Sequence, residues 1–126
     1  MIFQLRSART IAEIDEALRQ SATKHQFGVI AVHDLQQTMR NKGVDLATPC
    51  LVYEVCNPHK AKQVLESDGA LSAALPCRIS VYEAADGIHL ATILPTALMK
   101  LFDSSALESV AREVEDVVVA MMRDAS

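Results

Sequence analysis

Apolar residues recur along this chain with two different spacings, and each spacing predicts one kind of element. Runs that are β-branched and apolar, or that alternate apolar with polar positions, predict five strands at residues 2–7, 27–33, 51–56, 77–83 and 88–94. Asp86-Gly87 lies between the last two runs and predicts a tight hairpin. Segments with helical spacing separate most of the other strands, so the pattern predicts a chain in which strands and helices alternate.

The starts of the first two helices are marked by side chains that can accept hydrogen bonds from free backbone amides. Thr10 and Glu13 have the spacing of a capping box before the first helix, in which Ile14 and Leu18 share one face. Asp34 is placed to cap a second helix. This helix is predicted to end at Gly43, because glycine accepts the left-handed backbone found after many helices.

The later helices carry similar signals. Asn57 and Pro58 are preferred N-cap and first-turn residues, and they predict a third helix over residues 58–67. A short helix is expected after Pro95. Ser105 and Glu108 have the spacing of a second capping box before the last helix. This helix carries one apolar stripe, formed by Leu107, Val110, Ala111, Val114, Val117, Val118 and Met121.

The resulting order, βαβαβαββαα, predicts one α+β domain over residues 1–126, with helices covering a mixed, largely antiparallel sheet. No linker, low-complexity tract or internal repeat divides the chain. We expect one face of the sheet to stay open to a partner. The apolar strands and helix stripes exceed what a small monomer readily hides, which favours a homodimer.

Composition and charge exclude several classes of function. A net charge of −4 provides no positive field for phosphates or anionic lipids, and five aromatic residues without tryptophan leave little for base stacking, so we expect neither a nucleic-acid nor a membrane partner. Three cysteines are too few for a secreted disulfide framework, and the amino-terminal segment lacks a signal-peptide pattern, so a cytoplasmic location is predicted. Isolated glycines form no phosphate-binding loop, and the sequence leaves the identity of any cofactor unknown.

Two segments carry a family resemblance, FGVIAVHDLQQTMRNKGVD and VYEVCNPHKAKQVLESDGALSAALPCRISVYEAADG. Together with the short helix after Pro95 and the amphipathic last helix, they resemble the bacterial and archaeal family called domain of unknown function 302. The resemblance covers residues 12–122, and its most specific part is Cys56-Asn57-Pro58 followed by Leu75-Pro76-Cys77-Arg78. It implies a small cytoplasmic α+β protein, often a dimer, with no settled biochemical activity. Cys50 and His59 match no motif of the family.

Cys56 and Cys77 are the residues at which chemistry is most plausible. Cys56 precedes the amino end of the third helix, where amide hydrogens and the helix dipole favour a thiolate and lower a thiol's pKa. Cys77 begins the strand that follows this helix, so adjacent third and fourth strands would bring the two sulfurs close together. The alternative is that both thiols are small buried hydrophobic side chains.

Other residues near the two thiols suggest weaker possibilities. A metal site at Cys56, Cys77 and His59 is a third interpretation, although tetrahedral metal sites use three or four ligands and no CxxC spacing is present. Arg78 is expected to pair with Glu54 or Glu83 across a strand.

Two functional hypotheses follow from the sequence. The favoured one is a non-catalytic, homodimeric module that binds a small ligand or a protein in an apolar groove between the sheet and its helices. The alternative is a thiol-based redox or sulfur-relay protein, in which Cys56 accepts the sulfur or electron and Cys77 resolves the intermediate. The candidate ligand-binding residues are Cys56, Asn57, Pro58, Pro76, Cys77 and Arg78.

Overall fold

The structure is a computed structural model that describes residues 1–102 and 107–126. Its strands are β1 (Ile2–Ser7), β2 (Gly28–Asp34), β3 (Cys50–Cys56), β4 (Cys77–Ala84) and β5 (Gly87–Ile93). Its helices are α1 (Ile11–Lys24), α2 (Leu35–Asn41), α3 (Pro58–Ser67), α4 (Pro95–Met99) and α5 (Glu108–Ala125), and a 3₁₀ helix at Gly69–Ala74 follows α3.

The five strands form one sheet in the order β1-β5-β4-β3-β2, and each of the four pairings is antiparallel. The α+β fold class is confirmed. The hairpin predicted at Asp86-Gly87 joins β4 to β5, where Gly87 has a φ of +128°, a conformation that other residues rarely adopt. The pairing of β3 with β4 places the strand ends that carry the two cysteines side by side.

Helices α1 and α5 pack together on one face of the sheet. The main core lies between them and the alternating strand positions that point inward, such as Tyr53, Ile79 and Leu90, all of which are fully buried. A second, smaller cluster lies under α3, the 3₁₀ helix and α5 and contains Val64, Leu71, Leu107 and Val110. This second cluster supports the region in which both thiols lie.

Several local predictions are confirmed by the hydrogen bonds at the helix ends. Thr10 and Glu13 form the capping box of α1, Asp34 accepts a bond from the Gln37 amide, and Asn57 accepts from the first-turn amides of α3. Helix α2 ends at Asn41, two residues before Gly43, which has a φ of +75°. The proposed cap residue Ser105 lies outside the described residues, and α5 is described from Glu108.

The second face of the sheet carries the strand residues that alternate with the core positions. Ile2 and Ile93 are register partners on this face and are 68% and 52% exposed. Ser80, Ala91 and Val52 lie near its centre and are only partly covered. We call this surface the open face.

Within residues 1–102 and 107–126, none of the helices combines the length and the apolar character needed to cross a bilayer.

Candidate functional site

Cys56 is the last residue of β3, and the chain turns directly into α3 after it. The Asn57 side chain accepts hydrogen bonds from the amides of His59 and Lys60 at 3.0 and 3.2 Å, and Pro58 occupies the first turn, where its missing N–H costs nothing. Asn57 and Pro58 therefore fix the point at which α3 begins, and Cys56 is held at the corner between the strand and the helix.

Cys77, the first residue of β4, is the register partner of Val55, the residue before Cys56. Cys56 and Cys77 both line a small apolar cavity of about 30 Å³, the thiol cavity. A volume of roughly 10–15 Å³ accommodates one water molecule, so the thiol cavity has room for only two or three. Its walls are completed by Phe27, Val55, Asn57, Lys60, Ala61, Val64, Leu75, Pro76 and Val114. Adjacent β3 and β4 thus place both cysteines in the wall of one cavity.

The electrostatic environment of the two thiols differs from the one predicted. Burial raises the pKa of Cys56, and burial together with the nearby Cys56 raises the pKa of Cys77 to about 11. The expected lowering of the Cys56 pKa by the end of α3 is not found, and loss of hydration in the apolar cavity raises this pKa instead. Lys60, a cationic side chain in the cavity wall, is paired with Glu113.

The third cysteine and the metal candidate lie apart from this arrangement. Cys50 is at the opposite end of β3, and burial followed by the charge of Asp34 raises its pKa. His59 is exposed on the first turn of α3 and is not part of the thiol cavity wall. Among the described residues, no group of three or more His, Cys, Asp or Glu side chains is arranged to hold a metal ion.

A larger concavity lies on the other side of Leu75, Pro76 and Cys77. Its volume is about 210 Å³, and we call it the Leu75 cleft. The 3₁₀ helix, the segment that leads into β4, the end of β5 and α4 contribute its lining: Ala73, Ala74, Leu75, Pro76, Cys77, Arg78, Ile93 and Leu98. Among the described residues, Arg78 is the one charged residue in this lining, and the other lining side chains are apolar.

Arg78 points to the open face and is held loosely. Its Nη2 atom lies 3.4 Å from Oε1 of Glu54, its register partner on β3, and its side chain is 66% exposed. The predicted pairing with Glu54 is thereby confirmed. A well-formed guanidinium–carboxylate hydrogen bond spans roughly 2.7–2.9 Å, so this contact leaves most of the donors of Arg78 free to meet a ligand.

A second concavity, of about 250 Å³, begins at Arg78 and Ile93 and extends across the open face. We call it the sheet-face cavity, and its remaining lining is Ile2, Val52, Ser80, Ala91 and Thr92. Because Arg78 and Ile93 line both spaces, the Leu75 cleft and the sheet-face cavity adjoin at these two side chains. Of the candidate binding residues, Pro76, Cys77 and Arg78 line the cleft, Cys56 and Asn57 line the thiol cavity, and Pro58 lines neither.

A polar cluster elsewhere on the open face is satisfied by its own members. His89 Nε2 lies 2.6 Å from an oxygen of Asp86, the His89 ring stacks on Tyr82 with 5.4 Å between centroids, and Gln4 donates a hydrogen bond to the Tyr82 hydroxyl. The described residues contain no buried side-chain nitrogen or oxygen without a partner. The polar side chains of this cluster therefore already have hydrogen-bond partners, whereas Arg78 keeps free donors.

Sequence reasoning missed the walls of the Leu75 cleft. Ala73, Ala74 and Leu75 belong to, or directly follow, a 3₁₀ helix whose short apolar run has no strand or α-helical period. Ile93 and Leu98 are distant in sequence and reach the cleft through the β4–β5 hairpin and α4. The sequence feature that could have revealed the cleft is the contiguous segment Leu75-Pro76-Cys77-Arg78, which supplies half of the lining residues.

The comparisons with known proteins are consistent with one another. The model of the family described as domain of unknown function DUF302 matches residues 3–125. A crystal structure of an uncharacterized conserved DUF302 protein from Bacillus stearothermophilus superposes with a TM-score of 0.94 at 26% sequence identity, and the match covers 99% of this chain and 98% of that chain. Among curated proteins, none matches this sequence.

Proposed function

The chain belongs to the DUF302 family, and from that premise we propose that it is a non-catalytic module that binds a small, mostly apolar molecule in the Leu75 cleft. The observation that carries this proposal is the cleft itself, which has a volume of about 210 Å³ and mostly apolar lining side chains. Binding sites for small molecules are typically concave and apolar with a few polar groups, and Arg78 supplies one here. A flat or protruding surface would favour a protein partner, whereas the Leu75 cleft is concave.

The size of the cleft limits the ligand. The volume of the cleft is about 210 Å³. Drug-sized ligands typically occupy ~300–1,000 Å³, so the cleft alone fits a smaller molecule, such as a short alkyl chain. The free thiols Cys50, Cys56 and Cys77 are consistent with action in a reducing cytoplasm.

The cleft is tested by filling it from its rim with a new side chain. We expect 1-hexanol to bind with a Kd of about 1 mM, and Ala73→Phe to weaken this binding at least about fivefold, because the aromatic ring occupies part of the space. Ala73 is exposed, so the substitution spares the core. Amide chemical shifts in a ¹H–¹⁵N titration measure the affinity and identify the residues that respond.

Ser72→Phe is the matched control for this experiment. Ser72 is also exposed on the 3₁₀ helix, but it is absent from the lining of the cleft. Shifts confined to Ala73, Ala74, Ile93 and Leu98 that Ser72→Phe leaves unchanged would support the cleft. Shifts spread over unrelated surfaces, or equal losses in both variants, would contradict it.

We propose further that the module is a homodimer in which a second copy covers Ile2 and Ile93. These side chains are adjacent on the open face and are more than half exposed, and apolar pairs of this kind are self-complementary under two-fold symmetry. A copy seated there would also roof the sheet-face cavity, since both residues line it. The dimer contact and the ligand site would then adjoin.

Light scattering coupled to size-exclusion chromatography tests the dimer. We expect twice the 13.7 kDa chain mass for the unmodified protein and the single chain mass for Ile93→Glu, because a buried unpaired carboxylate disfavours the contact. Leu65→Glu, on the exposed side of α3, should remain dimeric. A monomer at all concentrations, or dissociation by Leu65→Glu alone, would exclude this interface.

A further inference from the structure

We propose that the ligand of the Leu75 cleft is an alkyl carboxylate, with its hydrocarbon chain in the cleft and its carboxylate on the Arg78 guanidinium. This inference rests on the proposed binding function and names its ligand class. It is carried by the position of one positive charge at the junction of two otherwise uncharged concavities.

Arg78 places its positive charge at the edge of a cleft whose other described lining side chains are apolar. On the cleft side, Leu75, Pro76 and Leu98 offer no hydrogen-bond donor from their side chains, so a hydrocarbon chain fits there. On the sheet side, the Ser80 hydroxyl donates to the Ala91 carbonyl at 3.3 Å and the Thr92 hydroxyl to the Arg78 carbonyl at 2.7 Å, so a polar end group would meet the Arg78 guanidinium. A molecule that spans the junction would therefore be apolar at one end and polar at the other.

The free N–H donors of Arg78 indicate that the polar end of the ligand carries a negative charge. A guanidinium has five N–H donors in a planar fork that matches the two oxygens of a carboxylate. Its described ion-pair contact is the single 3.4 Å approach of Glu54. Within the described part of the chain, no side chain other than Arg78 brings a formal charge to the wall of either concavity.

Glu54 is the internal competitor for this site. Its carboxylate is largely covered, and it lies 3.4 Å from both His33 Nε2 and Arg78 Nη2. A ligand carboxylate would face Arg78 from the solvent side while Glu54 remains beneath it. Removing the negative charge of Glu54 should consequently strengthen the attraction of Arg78 for an anion.

The probes are hexanoate, 1-hexanol and hexylamine, which share a six-carbon chain and differ in the charge of the end group. Because Arg78 is well exposed and screened by water, we expect hexanoate to bind only about fivefold more tightly than hexanol. Hexylamine should bind more weakly than hexanol. The preference for hexanoate should decline as sodium chloride is raised.

Three variants assign the preference to Arg78. Arg78→Gln should raise the Kd of hexanoate about fivefold, to the value for hexanol, and leave hexanol binding unchanged. Glu54→Gln should strengthen hexanoate binding without changing hexanol binding. Arg6→Gln is the matched control, since Arg6 lies on the same face but packs near Gly87 and lines neither concavity.

The outcomes separate this inference from the proposed function. If hexanol binds in the cleft and hexanoate binds no more tightly, the carboxylate assignment is wrong and the apolar binding function stands. If neither probe perturbs the cleft residues, both proposals fail. Equal losses for hexanoate in Arg78→Gln and Arg6→Gln would show a general charge effect and overturn the role of Arg78.

Discussion

At pH 7 Cys77 should react with iodoacetamide at least about 100-fold more slowly than an unhindered thiol with an ordinary pKa. Burial, followed by the proximity of Cys56, raises its pKa from 9.0 to about 11, and each unit removes about nine tenths of the reactive thiolate. The partly buried position of Cys77 slows access further. Cys56 should also react slowly, since burial raises its pKa as well.

The measurement is the alkylation rate of each cysteine between pH 7 and pH 11.5, followed by peptide mass spectrometry. The same chain unfolded in urea provides the reference, because its thiols are hydrated and separated. The rate for Cys77 should rise with pH and reach half of its maximum near pH 11 in the folded protein. Modification of Cys77 at pH 7 at the unfolded rate would contradict the buried, protonated thiol and would favour the thiol-relay hypothesis.

This result bears on the choice between the two functional hypotheses. A sulfur or electron relay requires two thiols close together and at least one of them ionised at working pH. The thiol cavity provides the first condition, because Cys56 and Cys77 share its wall. The raised pKa values oppose the second. The raised pKa values therefore favour the interpretation of both thiols as small apolar side chains in the wall of the thiol cavity, the alternative considered for them from the sequence.

Local chemistry explains which parts of the fold could be predicted. The caps Thr10, Asp34 and Asn57 act within three residues of their partner amides, so the printed sequence contains both partners of each interaction. The contact between Glu54 and Arg78 could be predicted for a related reason. Alternation places both on the same face once β3 and β4 are neighbours.

The Leu75 cleft and the pKa values of the thiols could not be predicted from the sequence, because both depend on contacts between distant parts of the chain. The Leu75 cleft brings Ala73 of the 3₁₀ helix together with Ile93 of β5 and Leu98 of α4. The pKa of Cys56 depends on how much of the thiol is covered, which depends in part on Phe27 and Val114. Sequence spacing predicted the helix end beside Cys56 but could not show that apolar neighbours remove its hydration.

Replacing Tyr53 by alanine should lower the free energy of unfolding by about 3–5 kcal/mol, the usual cost of deleting a buried aromatic ring. Tyr53 is fully buried on β3 in the main core. Its hydroxyl donates a hydrogen bond of 2.6 Å to Asp15 Oδ1 on α1, and Arg19 Nε donates to the other carboxylate oxygen at 3.0 Å. Tyr53 therefore joins the sheet to α1 both by packing and by a hydrogen bond to a charged acceptor.

Tyr53→Phe separates the two contributions, because it keeps the ring and removes only the hydroxyl. We expect a loss of about 1–3 kcal/mol at neutral pH, since Asp15 loses a donor while it remains partly buried. Tyr82→Phe is the matched control. The Tyr82 hydroxyl accepts its bond from Gln4 on the open face, where a substitution should change stability by less than about 0.5 kcal/mol. Both variants are compared by urea unfolding.

The pH dependence gives a sharper test of the Tyr53 hydroxyl. Burial by itself raises the pKa of Asp15, but hydrogen bonds from Arg19 and Tyr53 outweigh it, so the pKa lies below 3.8. The stabilisation is therefore present above the pKa of the unfolded state and is lost as pH falls through the lowered folded value. The difference between wild type and Tyr53→Phe should shrink in this acidic range. A constant difference down to pH 2 would show that the hydroxyl acts without the Asp15 charge.

At high pH the stability difference between wild type and Tyr53→Phe should also shrink. Burial, followed by the hydrogen bond to Asp15, raises the pKa of Tyr53 well above its ordinary value of 10.0. The wild type should lose stability as pH rises past 10, because the unfolded tyrosine ionises there while the buried one does not. Tyr53→Phe lacks this group and should lose less over the same range, so the two unfolding curves converge at both ends of the pH scale. Parallel curves above pH 10 would contradict a buried, protonated Tyr53.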